Sequence, residues 1–228
     1  SRFKFIFQNQ DDMKMFINKN LSKKSNSLVI ASSGINTKEF PFFERSGKKE
    51  LAFLFAARLV KSKGFNEFLE AGKITMEKYP ATKFLVAGKL DFENPETVSE
   101  KTYQSLQDSE IEFLGEVAYE EMNNLYKQAT IFVLPSYREG LPKVALEAAS
   151  TGMPLILANV PGCRDCVEDG VNGYLINEKD SNDLIAKMEN FILNPGMITP
   201  MSISSRKIIE KRFSLNLISK EFLKLIIE

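Results

Sequence analysis

Apolar residues in this chain cluster in two different ways. Short continuous runs recur: LAFLFAA at 51–57, KFLVAG at 83–88, IEFLG at 111–115, IFVL at 131–134, LILA at 155–158 and NGYLI at 172–176. Bounded by turn residues, they read as strands, and the runs at 51–57, 131–134 and 155–158 as buried ones. Between them, apolar positions fall three or four apart. Phe65, Phe68, Leu69, Ile74 and Met76 mark a helix ending at Tyr79–Pro80. Others are expected over 95–108, opened by Pro95, over 119–128, over 184–193 behind the cap at 180–183, and over 202–228 with a break near Phe213 and Ser214. Ahead of the first long run, 3–7 and 28–31 read as strands, with a turn and cap at 8–12 and a short helix at 13–18. Strand and helix alternating about six times predict an α/β fold: a doubly wound, Rossmann-like parallel sheet with right-handed crossovers.

The stretch with most local punctuation is PSYREGLPKVALEAASTGMP at 135–154. It stops a buried strand at Pro135 and passes through a polar loop. Pro142 is expected at the first helical position, and Gly152 and Pro154 close the helix. A strand, a glycine-containing loop and a helix N-terminus make an anion site, with the N–H groups of Gly140, Leu141 and Lys143 free to face a ligand. Glu139 and Glu147 bracket it, and a wholly helical interval would set them about 12 Å apart along the axis. That layout suits an elongated ligand with an anionic middle, such as a sugar–diphosphate–nucleoside.

Bulk properties narrow the partners. Lysine plus arginine and aspartate plus glutamate each total 30, so no global charge calls for nucleic acid. The charge is uneven: residues 1–49 carry ten basic and four acidic residues, 205–228 six and three, and the middle is acidic. A solvated surface accounts for this most simply, and a peripheral contact with an anionic membrane is the second reading. Cys163 and Cys166 are spaced C-x-x-C, but without a second pair or any histidine they lack the ligands for zinc. A redox pair is the minor reading; they read first as small fillers at a short helix start within 160–170, free thiols suited to a reducing cytoplasm. No apolar run approaches the roughly 20 residues that span a bilayer. The chain opens with Ser1 inside a strand-like run, so a fragment of a longer protein is expected.

Glu139 and Glu147 with seven residues between them, Pro-Ser before and Gly-Met-Pro-Leu-Ile after, resemble the signature of the group 1 (family 4) retaining glycosyltransferases. Further matches accompany it: Arg58 and Lys63 after the strand at 51–57, SSGINTKEF at 32–40, and Gly162 through Gly173 with Glu168 and Gly170 between. Asn36 stands where that family usually has Asp. The resemblance is weak before residue 28 and strong from 51 to 176. It implies the C-terminal, donor-binding half of a GT-B fold. Residues 1–46 would be the tail of the N-terminal domain and linker, 47–204 the nucleotide-sugar-binding domain, and 205–228 C-terminal helices crossing back. No strand precedes a G-x-G-x-x-G motif, and no Walker-type loop is present, so dinucleotide-binding and P-loop readings are disfavoured.

The resemblance also assigns roles. Glu139 is implied as the catalytic residue beside the reacting sugar carbon. Gly140, Leu141 and Pro142 would line the sugar and phosphate, Arg58 and Lys63 would hold the diphosphate, and Glu147 would accept from the ribose hydroxyls. Gly88 and the turn Gly115, Glu116, Val117 would meet the nucleotide. No metal or other cofactor is implied, because fixed cations stabilise the departing diphosphate. The donor is expected to be a nucleoside-diphosphate sugar, UDP favoured, and the acceptor a glycan or lipid-linked hydroxyl reached through the rest of the N-terminal domain. Polysaccharide or glycoconjugate synthesis in the cytoplasm or at the inner membrane face is the implied setting. Residues 1–46 offer a route to self-association, since a residual strand edge at 3–7 invites pairing. Two other classes stay open: a non-catalytic sugar-nucleotide-binding domain and an interaction module.

Overall fold

Six strands build the main sheet, all parallel: β3 (Ala52–Ala56), β4 (Lys83–Ala87), β5 (Glu112–Gly115), β6 (Ile131–Leu134), β7 (Leu155–Ala158) and β8 (Gly173–Ile176). The structure is a computed structural model and describes residues 3–45, 50–90 and 93–227. Between the strands run α2 (Phe65–Lys78), α3 (Glu100–Gln107), α4 (Met122–Gln128) and α5 (Lys143–Ser150). They are followed by α6 (Ser181–Leu193), α7 (Ile198–Ile208) and α8 (Leu215–Ile227). A separate two-stranded parallel pair, β1 (Phe5–Phe7) with β2 (Ser27–Val29), flanks α1 (Gln10–Asn18).

The spatial order is β5-β4-β3-β6-β7-β8. The chain therefore winds outward one way from β3 and the other way from β6, and these two neighbours form the topological switch point. Open α/β sheets bind ligands beyond the carboxyl ends of the strands at such a point. Every residue of β3, β6 and β7 is buried, as their uninterrupted apolar runs require. Phenylalanines fill the space between β3, β4 and α2. Phe53 stacks on Phe84 at 5.0 Å, and Phe55 meets Phe65 and Phe68 at 5.4 and 5.3 Å.

Several boundaries differ from the sequence reading. Pro95 does not open α3. Lys61 N–H donates to the Glu96 carbonyl, Val98 N–H donates to the Leu59 carbonyl, and Val60 bridges Thr97, so this segment pairs with the end of the β3 loop. The helix begins after Ser99, whose hydroxyl caps the Thr102 N–H. No helix forms around Cys163 and Cys166. Gly162 takes φ +80° after Pro161, and 161–166 stay a chain of turns. The α1 helix starts earlier than expected, because Asn9 rather than a later residue caps it. Tyr119 opens a short 3-10 turn, and regular α-helix begins at Met122. The domain boundary expected at 46/47 lies outside the described residues.

The segment 34–45 is fastened to the main sheet's helices by two arginines. Arg45 is 2% exposed and forms no ion pair among the described residues. It donates to the carbonyls of Ala129 and Tyr126 and to the Thr151 hydroxyl, and burial lowers its pKa to about 10. Arg206 donates to the carbonyls of Phe40 and Ser150, both at 2.9 Å. Further along, Ile35 pairs with Ser214, and Gly34 lies against Leu215 at the start of α8. The first and last segments thus meet side by side, through backbone pairing and close packing.

Gly64 ties the two switch-point loops together. It holds φ +71°, and a β carbon there would lie 2.0 Å from the Pro135 carbonyl oxygen. Gly64→Ala is expected to cost about 3 kcal/mol of stability, from left-handed strain and steric overlap together. Urea unfolding should show the fall in midpoint, and an unchanged midpoint would contradict the close approach.

Candidate functional site

The loop after β3 and the loop after β6 are neighbours because their strands pair, Phe53 opposite Ile131. Local bonds hold them in contact. Tyr137 N–H and the Ser136 hydroxyl both donate to the Ser62 carbonyl, at 2.9 and 3.0 Å. The Tyr137 hydroxyl donates to Glu67 on α2 at 2.7 Å. The consequence is an ion pair at the seam: Lys63 Nζ lies 2.5 Å from Glu139 Oε1, with side chains 22% and 11% exposed. Two residues 76 apart in sequence are brought together. Arg58 leaves β3 on the same loop, is exposed, and forms no ion pair among the described residues.

Glu139 is followed by a loop, not a helix. The α5 helix begins at Lys143, and Pro142 is its cap residue with φ −72° and ψ 102°, one position earlier than the sequence placed it. The expected separation of Glu139 and Glu147 along a helix axis therefore does not apply. Among the described residues, no bond within the chain engages the N–H of Gly140, Leu141 or Lys143, while the Pro142 carbonyl accepts from Ala145 and Leu146. These N–H groups form the positive end of a helix eight residues long. Gly162 backs the loop: a β carbon on it would sit 2.6 Å from the Glu139 carbonyl oxygen and 2.4 Å from that of Gly140.

On the other side of β3 lies a cleft of about 150 Å³, lined by Ala56, Ala57, Gly88, Glu116, Val117 and Val144. Gly88 is needed there for packing as well. A β carbon on it would lie 1.8 Å from the Ala57 carbonyl oxygen. Gly115 turns the chain at φ +69° into Glu116 and Val117, with open space where its side chain would be. Gly88, Glu116 and Val117, expected to meet the nucleotide, thus share one depression with Val144 in the first turn of α5, while Gly115 stands beside it.

Glu147 sits beneath that turn. It is 3% exposed; its Oε2 accepts from the Tyr126 hydroxyl at 3.0 Å, and Lys143 Nζ lies 3.5 Å from its Oε1. Burial raises its pKa, while the Tyr126 hydrogen bond and Lys143 oppose the rise. Tyr126 is itself held well above the ordinary tyrosine range, first by burial and then by the Glu147 charge. No local pattern marks Tyr126 as the partner, since it stands on α4 and faces Glu147 only in the folded chain. Lys143 also lies 5.2 Å from the Tyr119 ring centre. Tyr119 is raised to about 12 by burial and by nearby Glu39 and Glu147.

Cys163 and Cys166 are free and buried, and burial holds both thiols above their ordinary range. Such thiols are poor nucleophiles. No group of three or more His, Cys, Asp or Glu side chains suited to a metal gathers among the described residues. No described helix is long and apolar enough to cross a membrane.

Chemically, the switch point offers a cation paired with a carboxylate, a second cation unpaired, a set of unbonded N–H groups and a small apolar cleft. Residues 36–211 match the family described as "Glycosyl transferases group 1". The chain is 28% identical over 217 residues to the capsular polysaccharide biosynthesis glycosyltransferase CapM of Staphylococcus aureus, covering 90% of this chain and 56% of that protein. It is 32% identical over 197 residues to the N,N'-diacetylbacillosaminyl-diphospho-undecaprenol alpha-1,3-N-acetylgalactosaminyltransferase of Campylobacter jejuni, covering 81% of this chain and 50% of that one. Among solved structures it resembles Anabaena HepE in complex with UDP-glucose, with TM-score 0.84 and 19% identity. That match covers 98% of this chain and 63% of HepE. The chain spans about half the length of the curated relatives it matches. The fold is the parallel, Rossmann-like α/β half of GT-B glycosyltransferases.

Proposed function

As the chain belongs to the group 1 glycosyl transferases, we propose that it is the donor-binding half of a retaining enzyme that moves a sugar from a UDP-sugar to a hydroxyl acceptor. The observation that carries this is the Lys63–Glu139 pair at the β3/β6 switch point, beside unbonded N–H groups and the cleft at Gly88, Glu116 and Val117. The uracil occupies that cleft, against the backbone of the turn from Gly115 to Val117. Glu147 accepts from the ribose diol, which a carboxylate does well because it can take two donors at once. Arg58 and Lys63 hold the diphosphate. Glu139, Gly140, Leu141 and Pro142 line the sugar.

In the transfer step, the bond from the anomeric carbon to the diphosphate oxygen breaks, and the departing UDP takes its electron pair. The acceptor oxygen bonds to that carbon from the same face and passes its proton to the leaving phosphate. Arg58 and Lys63 stabilise the charge that develops on UDP, so no metal is required. The acceptor is a glycan or lipid-linked hydroxyl, a class consistent with what the Campylobacter relative's name states of that protein. It sits on the wall that the rest of an N-terminal domain supplies. In this division 1–46 belong to that domain and its linker, 47–204 hold the donor, and 205–228 cross back. The reaction is placed in the cytoplasm, at or near the inner membrane face. The chain alone binds donor without transferring. With Phe3, Phe5 and Ile6 exposed on β1 and just before it, residues 1–46 are the part most prone to self-association.

Lys63→Met tests the diphosphate role. UDP affinity should fall about tenfold or more, as expected for a lost charge-assisted contact of about 1.5–3 kcal/mol, while affinity for uridine, which has no phosphate, stays unchanged. Titration calorimetry reads both. Equal affinity of variant and wild type for UDP would return Lys63 to a purely structural pairing with Glu139.

A further inference from the structure

We propose that Asn9 is a positioning residue of the donor site: it aims the Leu141 N–H by holding the carbonyl of the same peptide. The proposal rests on reading the loop at 139–142 as a sugar contact. Asn9 stands between β1 and α1, outside the six-stranded sheet, and is 1% exposed. Its Oδ1 accepts from Asp12 N–H at 2.7 Å and so caps α1. Its Nδ2 donates to Asp12 Oδ2 at 2.9 Å and, across 131 residues of sequence, to the Gly140 carbonyl at 2.7 Å.

Capping alone does not require asparagine. Serine, threonine or aspartate would supply the acceptor equally well. A hydroxyl can accept and donate too, but it is shorter; the amide accepts from its own helix through Oδ1 and reaches the distant carbonyl with Nδ2. The Gly140 carbonyl and the Leu141 N–H belong to one planar trans peptide and point in opposite directions. Fixing the carbonyl on Asn9 therefore turns the Leu141 N–H away from the β1–α1 turn, and no group among the described residues takes it. The other constraints on the loop act in the same direction. Gln8 Oε1 lies 2.6 Å from where a β carbon on Gly140 would be, and Gly162 presses on the opposite backbone. Arg164 reaches toward Asp11 at 3.7 Å across the same seam. Asn9 thus carries the placement of the small β1–α1–β2 lobe onto the peptide nearest the sugar, without touching the ligand itself.

The test uses the 228-residue chain with UDP and UDP-glucose as probes. Asn9→Ser keeps the cap oxygen but cannot reach Gly140. Its UDP affinity should stay within about twofold of wild type, while the UDP-glucose affinity falls about tenfold, the value of one well-placed hydrogen bond. In parallel, the Leu141 amide resonance should shift on adding UDP-glucose to wild type and stay in place in Asn9→Ser. Asp12→Ala, which leaves the Gly140 bond intact, should behave as wild type. Equal loss for both probes would mark a merely structural role and overturn the proposal. So would no loss, or a Leu141 amide that ignores UDP-glucose in the wild type. Wild-type chain that binds neither probe removes the reading of the site itself, and this proposal with it.

Discussion

Glu139→Gln in the intact enzyme is expected to cut transfer about a hundredfold or more, the scale of losing a charged group aimed at the reacting centre, while UDP affinity stays within about threefold. Glutamine has the same shape and keeps one acceptor oxygen. It loses the charge that pairs with Lys63 at 2.5 Å and with any positive charge developing on the sugar. Lys63 is then released toward the diphosphate, so nucleotide binding is held or improved while the sugar-side interaction is lost. An effect seen in kcat with little change in UDP affinity identifies an interaction made in the transition state. Equal losses in transfer and in UDP affinity would show instead that Glu139 serves only to orient Lys63.

The second large effect concerns Glu147. Glu147→Gln should weaken UDP and UDP-sugar alike, about tenfold each, because a ribose contact is common to both and charged hydrogen bonds exceed neutral ones. The same substitution should stabilise the chain near neutral pH. Burial raises the Glu147 pKa above its ordinary 4.5, so the folded state holds the proton more tightly than the unfolded state does. At low pH the group is protonated in both states and brings no penalty. As pH rises through the unfolded value, the unfolded chain ionises first, and the wild type loses stability relative to the glutamine variant. Urea unfolding of both at about pH 4 and about pH 7 should show the variant's advantage growing with pH. A constant difference would mean that the carboxylate is not under strain from burial. Tighter folding with weaker binding is the pattern of a charge kept for a ligand.

The strands were legible because each buried run could be only one thing. IFVL at 131–134 is apolar throughout, and β6 occupies those same residues. The sheet order was not legible, since which strands pair depends on crossovers that no local pattern records. Pairing of β3 with β6 is nevertheless what joins Lys63 to Glu139. Boundaries failed where tertiary contacts or local caps overrode a general rule. Pro95 suits a first helical turn, yet backbone bonds from Leu59 and Lys61 drew 96–98 into pairing, and Ser99 capped the helix instead. Pro142 fell one position outside α5. At the site, Glu139, Lys63, Gly88, Glu116 and Val117 could be named from motifs. Their partners Tyr126 and Asn9 could not, because each is defined by contact across at least 18 residues of sequence. The two cysteines were legible as small fillers, and both are free and buried; only the short helix expected around them is absent.

The most direct test of the central claim is to map UDP onto the isotopically labelled chain by amide chemical-shift perturbation. The account predicts shifts concentrated on Gly88, Gly115 to Val117, Lys143 and Val144, beyond the carboxyl ends of β4, β5 and β6. The groove between α2 and α3 lined by Asn66, Lys73 and Ser105 should be silent. Shifts confined to that groove, or to the β1–β2 lobe, with the switch point unchanged, would contradict it.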